Sequence, residues 1–380
     1  MMRIVHVCLA SHYTEGMNYQ DNILPDVNSQ DGHEVLIISN AQKYIDGKLI
    51  DTEEEEKNLK QNLKLIRIRY DKIFTKFISE KIRKVKKLYS ILKNFKPDVI
   101  LFHGMCAYEL LTVSRYKKEN PHIKLYADSH EDFINSARTF FSKNILHRLF
   151  YKRIVLKCLK NIDKVLYISE ETRIFLHDFY DIPNEKLEFF PLGGFIVEEE
   201  EKKIIREKIR KNIDISEKDI VLIHSGKLDK LKKTQELLKS LAKINNNNVH
   251  LIIIGSIPDD NQILYDLMKE DKRVKYLGWK TGAELLEYIC SSDVYMQPGS
   301  QSSTSLTAVC CGLPILLYPS VSYKEMFDTN VFWAKNDKEI DEILLEIIEN
   351  PELLDNMSKR SYEIARNTFD YKKLAMRLYR

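Results

Sequence analysis

Between Pro298 and Pro314 the chain reads PGSQSSTSLTAVCCGLP. Ser300, Ser302, Ser303, Thr304, Ser305 and Thr307 bring hydroxyls, and Gln301 an amide, with no acid or base among them. Chemistry there must run through hydrogen bonds. An apolar run, DVYMQ, precedes the stretch, and Ser303–Cys311 reads as a short helix. Ser300–Thr304 would then offer first-turn amides and hydroxyls, a neutral cradle for an anion. Helix capping alone explains one or two such hydroxyls.

A second stretch, HSGKLDKLKKT from His224 to Thr234, follows a strand pattern and opens a helix. Gly226 allows a tight turn, and Lys227 and Lys232 (or Lys233) fall beside the helix start. Cations and helix amides together suit a diphosphate. The competing reading is a solvated, lysine-rich helix start. A third, DSHED from Asp128 to Asp132, puts His130 at a strand end, where it can hydrogen-bond a ligand hydroxyl. Glu131 and Asp132 would orient an acceptor or cap the next helix. The first loop, ASHYTEGMNYQDN, carries His12, Tyr13, Tyr19 and Gln20, aromatic and amide groups suited to a sugar.

These stretches need a scaffold of strand ends. Apolar runs at Arg3–Leu9, Glu34–Ser39, Leu63–Ile68, Asp98–Phe102, Lys124–Ala127, Lys164–Ile168 and Leu187–Phe190 alternate with helical patterns. A second series follows at Ile220–His224, His250–Ile254, Val274–Leu277, Asp293–Gln297 and Ile315–Leu317. Continuous runs such as VLIIS and HLIII predict parallel strands covered on both faces. EKIRKVKKLYSILKNF predicts one helix, and Glu53–Glu56 a surface turn. The acid run Glu198–Glu201 predicts a solvated linker or helix start near mid-chain. The expected architecture is α/β, with two facing Rossmann-like halves over 1–193 and 194–365 and a C-terminal helix, 366–380, packing back on the first.

The length of 380 residues suits two domains, and a net charge of +3 is far from that of a dedicated nucleic-acid binder. No run reaches membrane-spanning length. The six cysteines lie mostly in apolar segments without a C-x-x-C pair, which predicts buried thiols and a cytoplasmic location. Lys76–Lys96 and Lys143–Lys160 are strongly basic and interleaved with apolar residues; the first has Glu80 as its single acid and the second has none. They predict either a solvated basic helix face or a domain resting on an anionic membrane.

In order and spacing, Gly226-Lys227-Leu228 with Lys232, LIIIG ending at Gly255, Val274 to Gly278, Asp293-Val294 to Pro298, and Ala308 to Cys311-Gly312-Leu313-Pro314 resemble the retaining glycosyltransferase family 4 group, which has the GT-B fold. Gly16, Gly32-His33-Glu34-Val35 and Asp128-Ser129-His130 extend the resemblance into the first half. It implies a hexosyltransferase-type enzyme that takes a sugar, for example from a UDP-sugar, to a lipid-linked or glycan acceptor in bacterial polysaccharide, lipopolysaccharide or capsule assembly. Lys227 and Lys232 would contact the donor diphosphate. Leu277, Gly278 and Trp279 would meet the base, Gly16 the diphosphate or acceptor, and His130 the reacting sugar. The family usually has two glutamates before its C-G-x-P. Here Thr307 stands at the second, nothing matches the first, and Gln301, Ser302, Ser303 and Thr304 are the available substitutes. No D-x-D lies in a strand-end loop, so no metal or other cofactor is expected and the lysines would take a metal's role. An inactive sugar-nucleotide-binding partner and a GT-B epimerase are the alternatives.

Overall fold

A computed structural model describes residues 1–45 and 47–380. The chain divides into two compact units, Met1–Pro191 with Tyr371–Arg380, and Leu192–Asp370.

The first unit contains β1 (Arg3–Cys8), β2 (Glu34–Asn40), β3 (Gln42–Ile45), β4 (Lys48–Asp51), β5 (Glu55–Lys60), β6 (Leu63–Ile68), β7 (Val99–Phe102), β8 (Lys124–Ser129), β9 (Lys164–Tyr167) and β10 (Leu187–Phe189). Eight of them form one sheet in the order β10-β9-β8-β7-β1-β2-β6-β5, while β3 and β4 make a hairpin. All pairings in the large sheet are parallel except β5 with β6. Strands such as VILF are buried from end to end because helices cover both faces. Strand order reverses between β1 and β7, so the loops after β1, β7 and β8 gather at that switch point. Within the same unit, Tyr371, Leu374 and Leu378 join Ile4, Leu24 and Phe190 in the core. Arg377 Nη2 donates to the Phe189 carbonyl at 2.7 Å.

The second unit contains β11 (Ile220–Lys227), β12 (Val249–Ser256), β13 (Val274–Tyr276), β14 (Val294–Gln297), β15 (Ile315–Leu317) and β16 (Val331–Trp333). They form a parallel sheet in the order β13-β12-β11-β14-β15-β16. Its switch point lies between β11 and β14, where His224–Thr234 and Pro298–Ser303 emerge.

Every strand expected from the sequence is present. Two expectations need correction. Glu55 and Glu56 open edge strand β5 instead of a surface turn, because cross-strand charges match: Arg67 Nε sits 2.8 Å from Glu55, and Lys64 pairs with Glu56. The single helix expected over 80–95 is two, Lys76–Ile82 and Leu88–Phe95. Arg83 turns left-handed at φ 58° and donates to the Cys106 carbonyl at 2.7 Å, which ends the first helix. Glu198–Glu201 starts the helix Glu199–Asn212, its acids at the positive end of the dipole. Among the described residues no helix is long and apolar enough to cross a membrane.

Candidate functional site

In the second unit the two polar stretches meet. β11 ends at Lys227, which is exposed, and the chain then winds through a short turn over Lys230–Lys232 before the helix Thr234–Ala242. Asp229 starts that turn by accepting from the Leu231 amide at 3.0 Å. Lys232 is only 9 % exposed, and its Nζ reaches the Gln301 carbonyl at 3.2 Å and that of Ser300 at 3.5 Å. Burial pulls its ammonium below the ordinary lysine range, opposed by Asp229. Two glycines make this possible. A Cβ on Gly226 would lie 3.3 Å from Lys232 Cε, and one on Gly299 would lie 2.0 Å from the Leu231 carbonyl oxygen. The same carbonyl accepts from the Ser300 amide at 2.8 Å.

Below the loop, hydroxyls and amides fix its shape. Gln297 Nε2 donates to the Ser300 carbonyl at 2.7 Å. The Tyr323 hydroxyl accepts from the Ser302 amide at 2.8 Å and donates to the Ser302 carbonyl at 3.2 Å. Gln301 Nε2 donates to Ser320 at 2.9 Å. Ser305 and Leu306 amides fold back onto the carbonyls of Ser302 and Ser303. This leaves the Ser303 and Thr304 amides without an acceptor among the described hydrogen bonds. His224, fully buried, links both sides: its Nδ1 must donate to the Met296 carbonyl at 2.6 Å, so Nε2 accepts from Thr234 Oγ1 at 2.9 Å. Burial lowers its pKa to about 4, with Lys232 adding to the effect, and the ring is neutral. The Gly278 carbonyl accepts from the Gly255 amide at 2.8 Å, which holds Leu277–Trp279 beside the C-terminal end of β12, with Trp279 exposed. Thr307 lies in the helix Thr304–Cys310, on the side that packs against Gly194, and makes no side-chain hydrogen bond to Lys232 among the described residues.

In the first unit, His130 Nε2 and Gln20 Oε1 lie 3.2 Å apart, and Gln20 Nε2 donates to the Pro191 carbonyl at 3.0 Å. The sequence thus named two partners from distant loops. Gly16 adopts φ 82° with open space around its Cα, and Tyr19 is exposed. His12 turns away, its Nδ1 3.3 Å from Asn40 Oδ1. Tyr13 is corrected to a core residue: it is 5 % exposed, and its carbonyl accepts from buried Arg67 at 2.9 Å.

Glu131 Oε2 accepts from the Cys106 thiol at 2.9 Å, and the Tyr180 hydroxyl bridges Cys106 Sγ at 3.2 Å and His147 Nδ1 at 2.7 Å. Cys106, Glu131 and His147 present ligand atoms within 4.8 Å of one another. Burial pushes the Cys106 thiol well above its ordinary pKa, and the positive charge of Arg83 lies close by. The cluster satisfies itself with protons and fixes Glu131. Capping of the next turn falls to Asp132, whose Oδ1 accepts from Ile134 and Asn135 at 2.7 Å.

Nothing in the sequence marks Tyr323, Gln297 and His224 as supports of the Ser300–Ser302 loop. They lie within strands or a helix, and only the fold brings them under Ser300–Ser302.

Comparison with known proteins agrees with this architecture. Residues 29–193 match the family model for Glycosyltransferase Family 4, and residues 205–364 that for Glycosyl transferases group 1. Alpha-galactosylglucosyldiacylglycerol synthase of Streptococcus pneumoniae is 21 % identical over 239 residues, which cover 60 % of this chain and 61 % of that protein. Sucrose-phosphate synthase of Thermosynechococcus elongatus superposes with a TM-score of 0.68 at 13 % identity, covering 99 % of this chain and 97 % of that one. Anabaena HepE in complex with UDP gives 0.67 at 15 %, covering 99 % and 98 %. By both halves of its sequence and by its fold, the chain belongs to the glycosyltransferases of GT-B fold.

Proposed function

We propose that the chain transfers a sugar from a nucleoside diphosphate sugar to a lipid-linked or glycan acceptor, with retention of anomeric configuration and without a divalent metal. The observation that carries this reading is Lys232, a buried cation fitted between two glycine notches under the Ser300–Ser302 loop. As the donor bond breaks, negative charge grows on the leaving diphosphate. Lys232, Lys227 and the amides of Ser303 and Thr304 are preorganised donors for that charge, and preorganised donors act where the charge develops. Lys227 and Lys232 supply the positive charge that a metal supplies elsewhere. Leu277–Trp279 takes the base, and Ser302, Ser303 and Thr304 take hydroxyls of the donor in place of the absent glutamates. His130, held by Gln20, hydrogen-bonds the reacting sugar, and the leaving phosphate helps deprotonate the acceptor on the same face. Gly16 and Tyr19 border the acceptor.

UDP bound to HepE and the diacylglycerol in the name of the streptococcal relative support a UDP-sugar donor and a lipid-linked acceptor in cell-surface glycan assembly. A cytoplasmic protein resting on an anionic membrane fits the first unit. There Phe141, Ile145, Leu149 and Leu156 are exposed at helical spacing among Lys143, Arg148, Arg153 and Lys157. Tyr151 donates to the Lys81 carbonyl at 2.5 Å, which joins this face to the other basic segment and its exposed Phe77.

A panel of nucleoside diphosphate sugars, tested by thermal shift and then for turnover in EDTA, tests the reading. The true donor raises Tm with concentration, and NMR of the product shows the anomeric configuration retained. Stabilisation without turnover on any permissive acceptor would leave a binding protein instead, and an inverted product would overturn the same-face mechanism.

A further inference from the structure

Beneath the strand-end loops of the first unit lies a file of polar side chains that the donor chemistry does not use. Asn28, His6, His103 and Asp128 are each at most 3 % exposed and come from the helix Gln20–Gln30, β1, the end of β7, and β8. Asn28 Oδ1 lies 2.9 Å from His6 Nε2, His6 Nδ1 2.9 Å from His103 Nε2, and His103 Nδ1 2.6 Å from Asp128 Oδ2. We propose that His103 and Asp128 are positioning residues that share one buried proton, and that turnover requires it because it locks the loop carrying His130. The proposal rests on the role given to His130 above.

Donors and acceptors can be counted along the file. Asn28 presents its carbonyl oxygen to His6 Nε2, and in that amide orientation His6 Nε2 carries a proton. With His6 neutral, its Nδ1 accepts from His103 Nε2–H. The remaining link then needs a proton of its own between His103 Nδ1 and Asp128. Burial opposes charge on both partners, yet the mutual attraction wins: His103 is raised above the ordinary histidine value and Asp128 held below the ordinary carboxyl value. His6, by contrast, is lowered to about 3 by burial and the charge on His103. The other charged or titratable groups that face the pair are Cys8 on β1, Asp21 on the helix after the first loop, and His130 itself.

Asp128 is also the knot that ties three loops. Its Oδ1 accepts from the Gly104 amide at 2.7 Å, and its carbonyl from the Met105 amide at 3.2 Å. Gly104 adopts φ 72°, and a Cβ there would meet the Ala10 Cβ at 2.9 Å, so the loops after β1 and β7 have no slack. His130 follows two residues on, its carbonyl accepting from Asn135 Nδ2 at 2.9 Å. Removal of the proton would leave two lone pairs facing each other in the buried file, at the Asp128 link or between the two rings, an arrangement that costs far more than it would in water. The strand end would have to move, and His130 with it.

Nitrogen-15 NMR of the ligand-free protein reads the pair directly. We expect both His103 nitrogens to stay protonated to a higher pH than in an ordinary histidine; a ring that loses its second proton at or below the ordinary histidine value overturns the proposal. In turnover, kcat of the wild type falls on the alkaline side through that same titration. His103→Asn keeps a donor toward Asp128 in place of Nδ1 but cannot titrate. It should retain kcat within about tenfold and lose the alkaline fall. A folded His103→Asn protein with the wild-type alkaline fall overturns the proposal. Failure of the underlying reading is separate: His130→Ala would then turn over normally while the NMR titration stayed as expected.

Discussion

The two units solve one problem, how to hold a strand-end loop, in opposite ways. Under the loops of the first unit lie two histidines and an aspartate, linked by hydrogen bonds of 2.6–2.9 Å and sealed from water. Under the Ser300–Ser302 loop of the second unit lie groups that stay neutral: the amide of Gln297, the hydroxyl of Tyr323 and an uncharged His224. The buried charge beside that loop, Lys232, is aimed at the loop itself. Titratable support can couple a site to protons, whereas neutral support leaves one cation as the dominant local charge. A diphosphate site benefits from the second arrangement, because any buried anion nearby would compete for the lysine.

The strongest test of that contrast is Lys232→Ala. Loss of one preorganised donor at a developing anion costs about 10²–10³ in rate, or about 2.7–4 kcal/mol. We expect a loss of that size in kcat, measured as nucleotide release under saturating donor. Lys227→Ala should cost less, since Lys227 is exposed and its charge is screened by solvent. Equal losses at both positions would mean that burial of Lys232 adds nothing.

The next test removes a neutral support. Tyr323→Phe deletes a hydroxyl that both accepts from and donates to the Ser302 backbone, so the Ser302 amide loses its partner. Hydrogen bonds of this kind contribute about 1 kcal/mol, so donor affinity should weaken about fivefold in calorimetric titration. The fold itself should stay intact, since the ring still packs against Phe327. An unchanged affinity would show that the loop holds its shape without Tyr323.

Tyr323 also shows where sequence stopped being informative. The alternation of apolar runs and helical patterns disclosed both sheets, since burial on two faces demands those runs. Lys227, Lys232, His130 and the Ser300–Thr304 stretch were legible because punctuation by glycine and polar clusters survives in one dimension. The supports were not, because Gln297, Tyr323 and His224 are ordinary strand and helix residues until topology stacks them. His6 and His103 were invisible for the same reason: 97 residues separate them, and only the parallel pairing of β1 with β7 brings them together. Edge strand β5 was missed because its charged alternation, EEKNLK, imitates a surface turn.

Acid sensitivity separates the buried histidines by sign. His6 and His224 fold as neutral rings with pKa lowered to about 3 and about 4. An unfolded histidine binds its proton near pH ~6.5, so below that pH the unfolded chain takes up more protons and stability falls as the pH drops toward those values. His103 acts oppositely: its folded pKa is raised, so its contribution is complete below pH ~6.5 and is lost as the pH rises through the folded value. Denaturant titration across pH 4–8 (a range set by these histidine values) should therefore show a fall on the acid side. His224→Asn, which keeps a donor toward the Met296 carbonyl, should make that fall shallower. An acid slope identical to wild type would mean that His224 is not the neutral, buried ring that the hydrogen bonds to Met296 and Thr234 require.

The smallest effect concerns the outer face of the titratable unit. Phe141, Ile145, Leu149 and Leu156 are exposed beside Arg148, Arg153 and Lys157, and each basic residue near an anionic surface contributes ~1 kcal/mol. Arg153→Gln should therefore lower partitioning onto vesicles containing phosphatidylglycerol about fivefold, an effect that fades in high salt as charges are screened. Leu149→Ser should lower it in a manner independent of salt, because it removes buried apolar area instead of charge. Neither change touches the Ser300–Ser302 loop, so turnover on a soluble acceptor should stay at the wild-type rate while turnover on a lipid acceptor in vesicles falls. If binding to vesicles proved indifferent to both lipid charge and salt, these residues would be a solvated helix face and nothing more, and the contrast between the units would end at their loops.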